Sequence, residues 1–254
     1  MRRMRSQTML LVVAMAAMLL LVSGVALAKV IVGTAKGETL VGTDGADLIK
    51  GLGGNDRLFA KDRNDQLRAG PGHDKAFGER GNDTYSGGTG RDFLSEYHGR
   101  TPSPRGDGYT GKDVMFGGVG SDWLEGARDD DELHGGSNLA TEQICRGYSC
   151  FNEALFGDTG NDKLYGEDGP DYMEGEQGSD LMSGGDGADD IDAADEETAG
   201  TPDTVNCGSG MDRVRANDND KVAANCEDVN RVANSTAGSS VTAADAETES
   251  KGNR

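Results

Sequence analysis

The chain has 254 residues, of which 40 are glycine, and a formal charge of −20; apolar residues make up 35% and aromatics 5%. So few large apolar side chains exclude one thick globular core and leave either a disordered chain or a thin, repeated core. Such acidity excludes nucleic acid as a partner, because phosphates would be repelled, and favours cations.

Residues 1–28 read as an export signal. MRRMRSQ is a basic opening, TMLLVVAMAAMLLLVSGV an apolar run, and Ala26-Leu27-Ala28 a small-residue cleavage site ahead of Lys29. No second apolar stretch follows, so no membrane association is expected once the signal is removed. Residues 33–41, GTAKGETLV, look like a degenerate first coil with Glu38 and Leu40 at its key positions, suited to capping an exposed end.

From there an aspartate recurs every nine residues. The first block carries Asp47, Asp56, Asp65, Asp74, Asp83 and Asp92. The second carries Asp113, Asp122 and Asp131, and the third Asp162, Asp171, Asp180 and Asp189. Five residues before each of these thirteen stands Gly in eleven, the exceptions being Ala60 and Ala69. Two residues before stands Gly in eleven, the exceptions being Arg63 and Asp129. Two residues after, the side chain is always apolar: Ile49, Leu58, Leu67, Ala76, Tyr85, Leu94, Met115, Leu124, Leu133, Leu164, Met173, Met182 and Ile191. A glycine-rich linker would not keep these columns in phase, and the shared phase is what separates the aspartates from ordinary surface charges.

The columns spell G-G-x-G-x-D-x-U-x with U apolar, most clearly in GGTGRDFLS (87–95), GGVGSDWLE (117–125), GDTGNDKLY (157–165) and GGDGADDID (184–192). The chain therefore resembles the hemolysin-type (RTX) calcium-binding nonapeptide-repeat family. Glycine suits crowded or left-handed corner backbone, aspartate supplies a short hard carboxylate for Ca²⁺, and alternation along a short strand sends U inward. The resemblance implies an all-β fold, a parallel β-roll or β-helix solenoid, with two nonapeptides per turn of about eighteen residues. It further implies that the thirteen aspartates are metal ligands for several calcium ions held between consecutive corners. Asp47, Asp65 and Asp83 would line one side, and Asp56, Asp74 and Asp92 the other. Stacked at about 4.8 Å, such carboxylates repel, so folding is expected to depend on the ion.

The roll is expected over 29–195, with inserted loops at 96–107 and 135–156. Degenerate turns follow at 196–232, where Asp203, Asp212 and Asp220 precede Val205, Val214 and Val222, and a disordered tail occupies 233–254. Four cysteines suit an exported chain. Cys207 and Cys226 are 19 residues apart, close to one turn of such a roll, and are expected to bridge adjacent turns. Cys145 and Cys150 are expected to close a small loop in the second insertion. Arg105-Gly106-Asp107 in the first insertion is accounted for by the abundance of Gly and Asp.

No catalytic constellation appears. His73, His98 and His134 are the only histidines, and neither H-E-x-x-H nor G-x-S-x-G occurs. The expected function is a secreted, noncatalytic calcium-binding repeat protein that folds on extracellular calcium. The alternative is a surface adhesion or interaction protein that binds a partner, of unspecified identity, through its inserted loops. Many relatives leave the cell through a C-terminal signal; the N-terminal signal here departs from that pattern and points to general export.

Overall fold

The computed structural model describes residues 27–96, 110–137, 144–146, 149–195 and 201–233. Most of the signal, the RGD tripeptide, His98 and nearly all of the C-terminal tail lie outside them.

The described residues contain strands and no helix. In chain order they begin with β1 (Val30–Val32), β2 (Thr39–Val41), β3 (Leu48–Lys50), β4 (Arg57–Asp62), β5 (Gln66–Pro71), β6 (Lys75–Arg80), β7 (Thr84–Thr89) and β8 (Phe93–Ser95). After the first interruption come β9 (Val114–Val119), β10 (Trp123–Glu125) and β11 (Glu132–Ser137). A two-stranded antiparallel hairpin, β12 (Ile144–Arg146) and β13 (Ser149–Phe151), follows. Then come β14 (Ala154–Phe156), β15 (Lys163–Asp168), β16 (Tyr172–Glu174), β17 (Leu181–Gly187) and β18 (Asp190–Ala193). The final four are β19 (Thr204–Gly210), β20 (Arg213–Asn217), β21 (Lys221–Val222) and β22 (Asp228–Val232).

Apart from the hairpin, alternate strands fall into two parallel ten-stranded sheets, β1-β3-β5-β7-β9-β11-β15-β17-β19-β21 and β2-β4-β6-β8-β10-β14-β16-β18-β20-β22. Each strand pairs with the one a full turn away, as in Ile49 against Leu67 and Leu58 against Ala76. This is the parallel β-roll expected from the repeat.

The core is two facing rows of U side chains. The first sheet supplies Ile49, Leu67, Tyr85, Met115, Leu133, Leu164, Met182 and Val205; the second supplies Leu58, Ala76, Leu94, Leu124, Leu155, Met173, Ile191 and Val214. All are buried, and Tyr85 is the one aromatic among them. Its hydroxyl accepts the Gly78 N–H at 2.9 Å. Strand alternation puts the other rings outside. On the second sheet Phe59, Phe77, Phe93, Trp123, Phe156 and Tyr172 form a continuous run with centroids 4.8–6.3 Å apart. On the first, Phe116, His134 and Tyr165 stack at 4.8 Å. Cross-strand ring pairs of this kind contribute about 0.5–1.5 kcal/mol each, so outer ladders reinforce the thin core.

The second insertion is narrower than the expected 135–156. Residues 135–137 complete β11, and the roll resumes at Glu153 and β14. The reason is chemical: Glu153 takes the place of the missing aspartate, and Leu155 behind it is fully buried. Cys145 and Cys150 stand opposite each other in the backbone register of the hairpin; the expected bond between their side chains lies outside what is described. Cys207 and Cys226 are disulfide-bonded with Cα atoms 5.3 Å apart, as the turn length led us to expect.

Candidate metal centre

All thirteen predicted aspartates lie just ahead of a strand, and none is more than 4% exposed. They form two straight files. In the first, the Asp47 N–H donates to Asp65 Oδ1, Asp65 to Asp83, Asp83 to Asp113, Asp113 to Asp131, Asp131 to Asp162 and Asp162 to Asp180, at 2.5–2.8 Å. In the second, Asp56 donates to Asp74, Asp74 to Asp92, Asp92 to Asp122, Asp122 to Glu153, Glu153 to Asp171 and Asp171 to Asp189, at 2.7–3.1 Å. The partner is 18 residues away in uninterrupted turns and 30 or 31 across the insertions. The files continue beyond the predicted set: Asp180 donates to Asp203, Asp203 to Asp220, Asp189 to Asp212 and Asp212 to Glu227.

One carboxylate oxygen is therefore satisfied by the backbone one turn before. The other is not. Among the described residues, Oδ2 of every predicted aspartate except Asp47 is buried and without a hydrogen-bond donor, as is that of Asp212. Asp47, near the exposed end, has its Oδ2 capped by the Thr43 N–H and hydroxyl. Long rows of buried, unpartnered acceptors are costly, about 1–3 kcal/mol each and more for charged groups.

The glycine columns are explained by this packing. A Cβ on Gly87, Gly117 or Gly166, five residues before an aspartate, would stand 2.5–2.7 Å from that aspartate's Oδ2. A Cβ on Gly72, Gly90 or Gly120, two residues before, would fall on the carbonyl oxygen of Gly54, Gly72 or Gly90 in the previous turn. Corner carbonyls thus stack beside the carboxylates. The backbone is left-handed both four and two residues before the aspartate. Leu52, Lys61, Glu79, Ala127, Asp158, Glu167 and Glu176 hold positive φ at the first place, and Arg63 and Asp129 at the second.

Burial dominates the electrostatics. It raises Asp65, Asp162, Asp180 and Asp189 to about 7, opposed by the bond from the preceding backbone N–H. It raises Asp83, Asp92 and Asp122 to about 8, with neighbouring ladder carboxylates adding to the shift. Asp131 and Asp171 rise to about 9 for the same reasons. Carboxyls that resist ionisation in the bare roll, beside inward-facing carbonyls, are what a hard cation would relieve.

Among the described residues, no three Asp, Glu, His or Cys side chains converge into a group able to hold an ion unaided. A corner ion would need backbone oxygens as well as carboxylates, and the stacked carbonyls supply that donor type. The residues fit Ca²⁺, which takes six to eight oxygens in adaptable geometry, better than Mg²⁺, which keeps its waters.

Sequence reasoning missed Glu153 and Glu227, which stand in the files as glutamates. The signal was there: Leu155 and Val229 follow each by two residues.

A search of curated proteins returned no match. The RTX calcium-binding nonapeptide repeat matches in four copies, at residues 32–62, 59–94, 107–138 and 156–191, together a little over half of the chain. With these matches falling on the turns that carry the aspartate files, the chain belongs to the RTX calcium-binding nonapeptide repeat family.

Proposed function

We propose that this is a secreted, noncatalytic protein whose roll folds when extracellular calcium binds at the corners, with the thirteen aspartates as side-chain ligands. The observation that carries the reading is the file of buried Oδ2 atoms that no donor among the described residues satisfies. Without an ion, each must be protonated or left charged in a poor environment. With one, repulsion along the file is removed and consecutive corners are tied together. Binding free energy then becomes folding free energy: a single site saturated a hundredfold above its Kd adds about 2.7 kcal/mol. The signal-like residues 1–28 support export to a calcium-rich medium. The absence of a protease or hydrolase motif from the sequence supports the noncatalytic reading.

The test is a calcium titration of the whole mature chain, followed by far-UV circular dichroism and calorimetry. The expected result is a cooperative gain of β signal coincident with heat of binding. No gain at millimolar calcium refutes coupled folding.

A further inference from the structure

Three interruptions break the eighteen-residue turn, and at two of them the chain places an acidic side chain that the repeat does not call for. Both lie where the chain crosses from the second sheet to the first. Glu96 follows β8 and precedes the extra residues leading to Asp113 and β9. Asp195 follows β18 and precedes those leading to Asp203 and β19.

Glu96 is 0% exposed, and among the described residues no N–H or hydroxyl donor reaches Oε1 or Oε2; only the Asp113 carboxyl meets it, through a shared hydrogen bond. It stands two residues after the core Leu94, the column that elsewhere holds Gly87, Gly117 or Gly166. From that column a side chain runs straight at the corner carboxylate; Glu96 is hydrogen-bonded to Asp113, and the charges of Asp131 and Asp83 also act on it. Asp195 is 8% exposed, and its Oδ1 has no partner among the described residues. Its backbone N–H is held by Asn217 Oδ1 at 2.8 Å. Its charge acts on Asp180 and Asp203, and that of Asp220 acts on it.

Both side chains are thus buried against the same file of aspartates, in separate places, with acceptor oxygens that no N–H or hydroxyl donor among the described residues reaches. A regular corner brings backbone carbonyls beside the carboxylates. A buried carboxylate at the break adds further oxygen donors and a charge. We propose that Glu96 and Asp195 are side-chain ligands of two further divalent-cation sites, of the calcium type, one at each interrupted crossing. The inference rests on the calcium-binding reading above, which assigns only the repeat aspartates. Its consequence is that the ion file continues past both interruptions.

The test counts calcium by equilibrium dialysis on the whole chain and on Glu96→Gln, Asp195→Asn and the double variant. Asp44→Asn, an exposed carboxylate, serves as the charge control. Far-UV circular dichroism at saturating calcium checks that each variant forms the roll. The expected result is an unchanged count in Asp44→Asn, one ion fewer in each single variant and two fewer in the double. Glu96→Asp, which keeps a carboxylate, should fold and bind the full count with weaker affinity at one site; it decides the matter if Glu96→Gln does not fold. Unchanged counts and affinities in Glu96→Gln and Asp195→Asn overturn this inference alone, and would mean that Glu96 and Asp113 share a proton without an ion. A parent chain that binds no calcium would instead refute the proposed function.

Discussion

Replacing Asp131 by asparagine should act in opposite directions with and without calcium. Asp131 is 2% exposed, its Oδ1 accepts the Asp113 N–H at 2.8 Å, and its Oδ2 has no partner. Burial, and then the charges of Asp113, Asp162 and Asp129, raise its carboxyl from 3.8 to about 9 against the pull of the backbone bond. At pH 7 the unfolded chain carries this group ionised, so folding without metal must protonate it. At about 1.4 kcal/mol per pH unit, the penalty has a ceiling of about 4 kcal/mol. Asparagine removes the charge and keeps the Oδ1 acceptor. The Gly157 carbonyl borders the same space as Oδ2, giving the new amide an acceptor nearby. Allowing for imperfect geometry, we expect the metal-free roll to gain about 2 kcal/mol, about thirtyfold in the folded-to-unfolded ratio. In calcium the same change should weaken ion binding and lower stability. Far-UV circular dichroism measures both effects: the β signal in chelator should rise above that of the parent, and the urea midpoint in millimolar calcium should fall. A β signal in chelator no higher than the parent's, with a lowered midpoint in calcium, would refute the reasoning.

Gly120 has φ +152° and no room for a Cβ above the Gly90 carbonyl; Gly120→Ala should cost about 3 kcal/mol or more at saturating calcium, and an unchanged urea midpoint would contradict the stacking of the corners. Cys207 and Cys226 close a span of 19 residues, so replacing both with serine should cost about 3 kcal/mol by chain entropy, read as earlier loss of amide protection in β19 to β22; equal protection would show that the bridge constrains nothing. Without calcium, Asp83, Asp92, Asp122, Asp131 and Asp171 keep their protons up to about pH 8–9 in the roll, against about 3.9 in an unfolded chain. The folded state therefore binds more protons across that window, and metal-free stability is greatest below about pH 4 and declines as pH rises toward 9. Calcium affinity should run the other way, because the ion needs ionised carboxylates. Circular dichroism in chelator and calorimetry at several pH values check both, and a metal-free roll that strengthens with pH would refute the assignment.

Much of this was legible because the repeat writes its physics one column at a time. The aspartate column fixed the two files, and the apolar column fixed which side chains face in. The span from Cys207 to Cys226 fitted one turn. What stayed hidden was whatever left its column. Glu153 was masked by a change of residue type and by the interruption before it, although a longer carboxylate reaches the same N–H of Asp122. The outer run from Phe59 to Tyr172 was hidden for another reason. Its rings flank the apolar position, some before it and some after, and only the stacking of turns brings them together. The burial of the aspartates was also not readable. A corner residue looks exposed in one nonapeptide and becomes enclosed only when turns lie on both sides of it.

Crystals grown in calcium would test the central claim most directly, through anomalous scattering at the corners. The account predicts a row of calcium peaks along each aspartate file, every one within bonding distance of an Oδ2 that no donor among the described residues reaches. Well-ordered turns with no density beside Asp83, Asp92, Asp122 or Asp131 would contradict it.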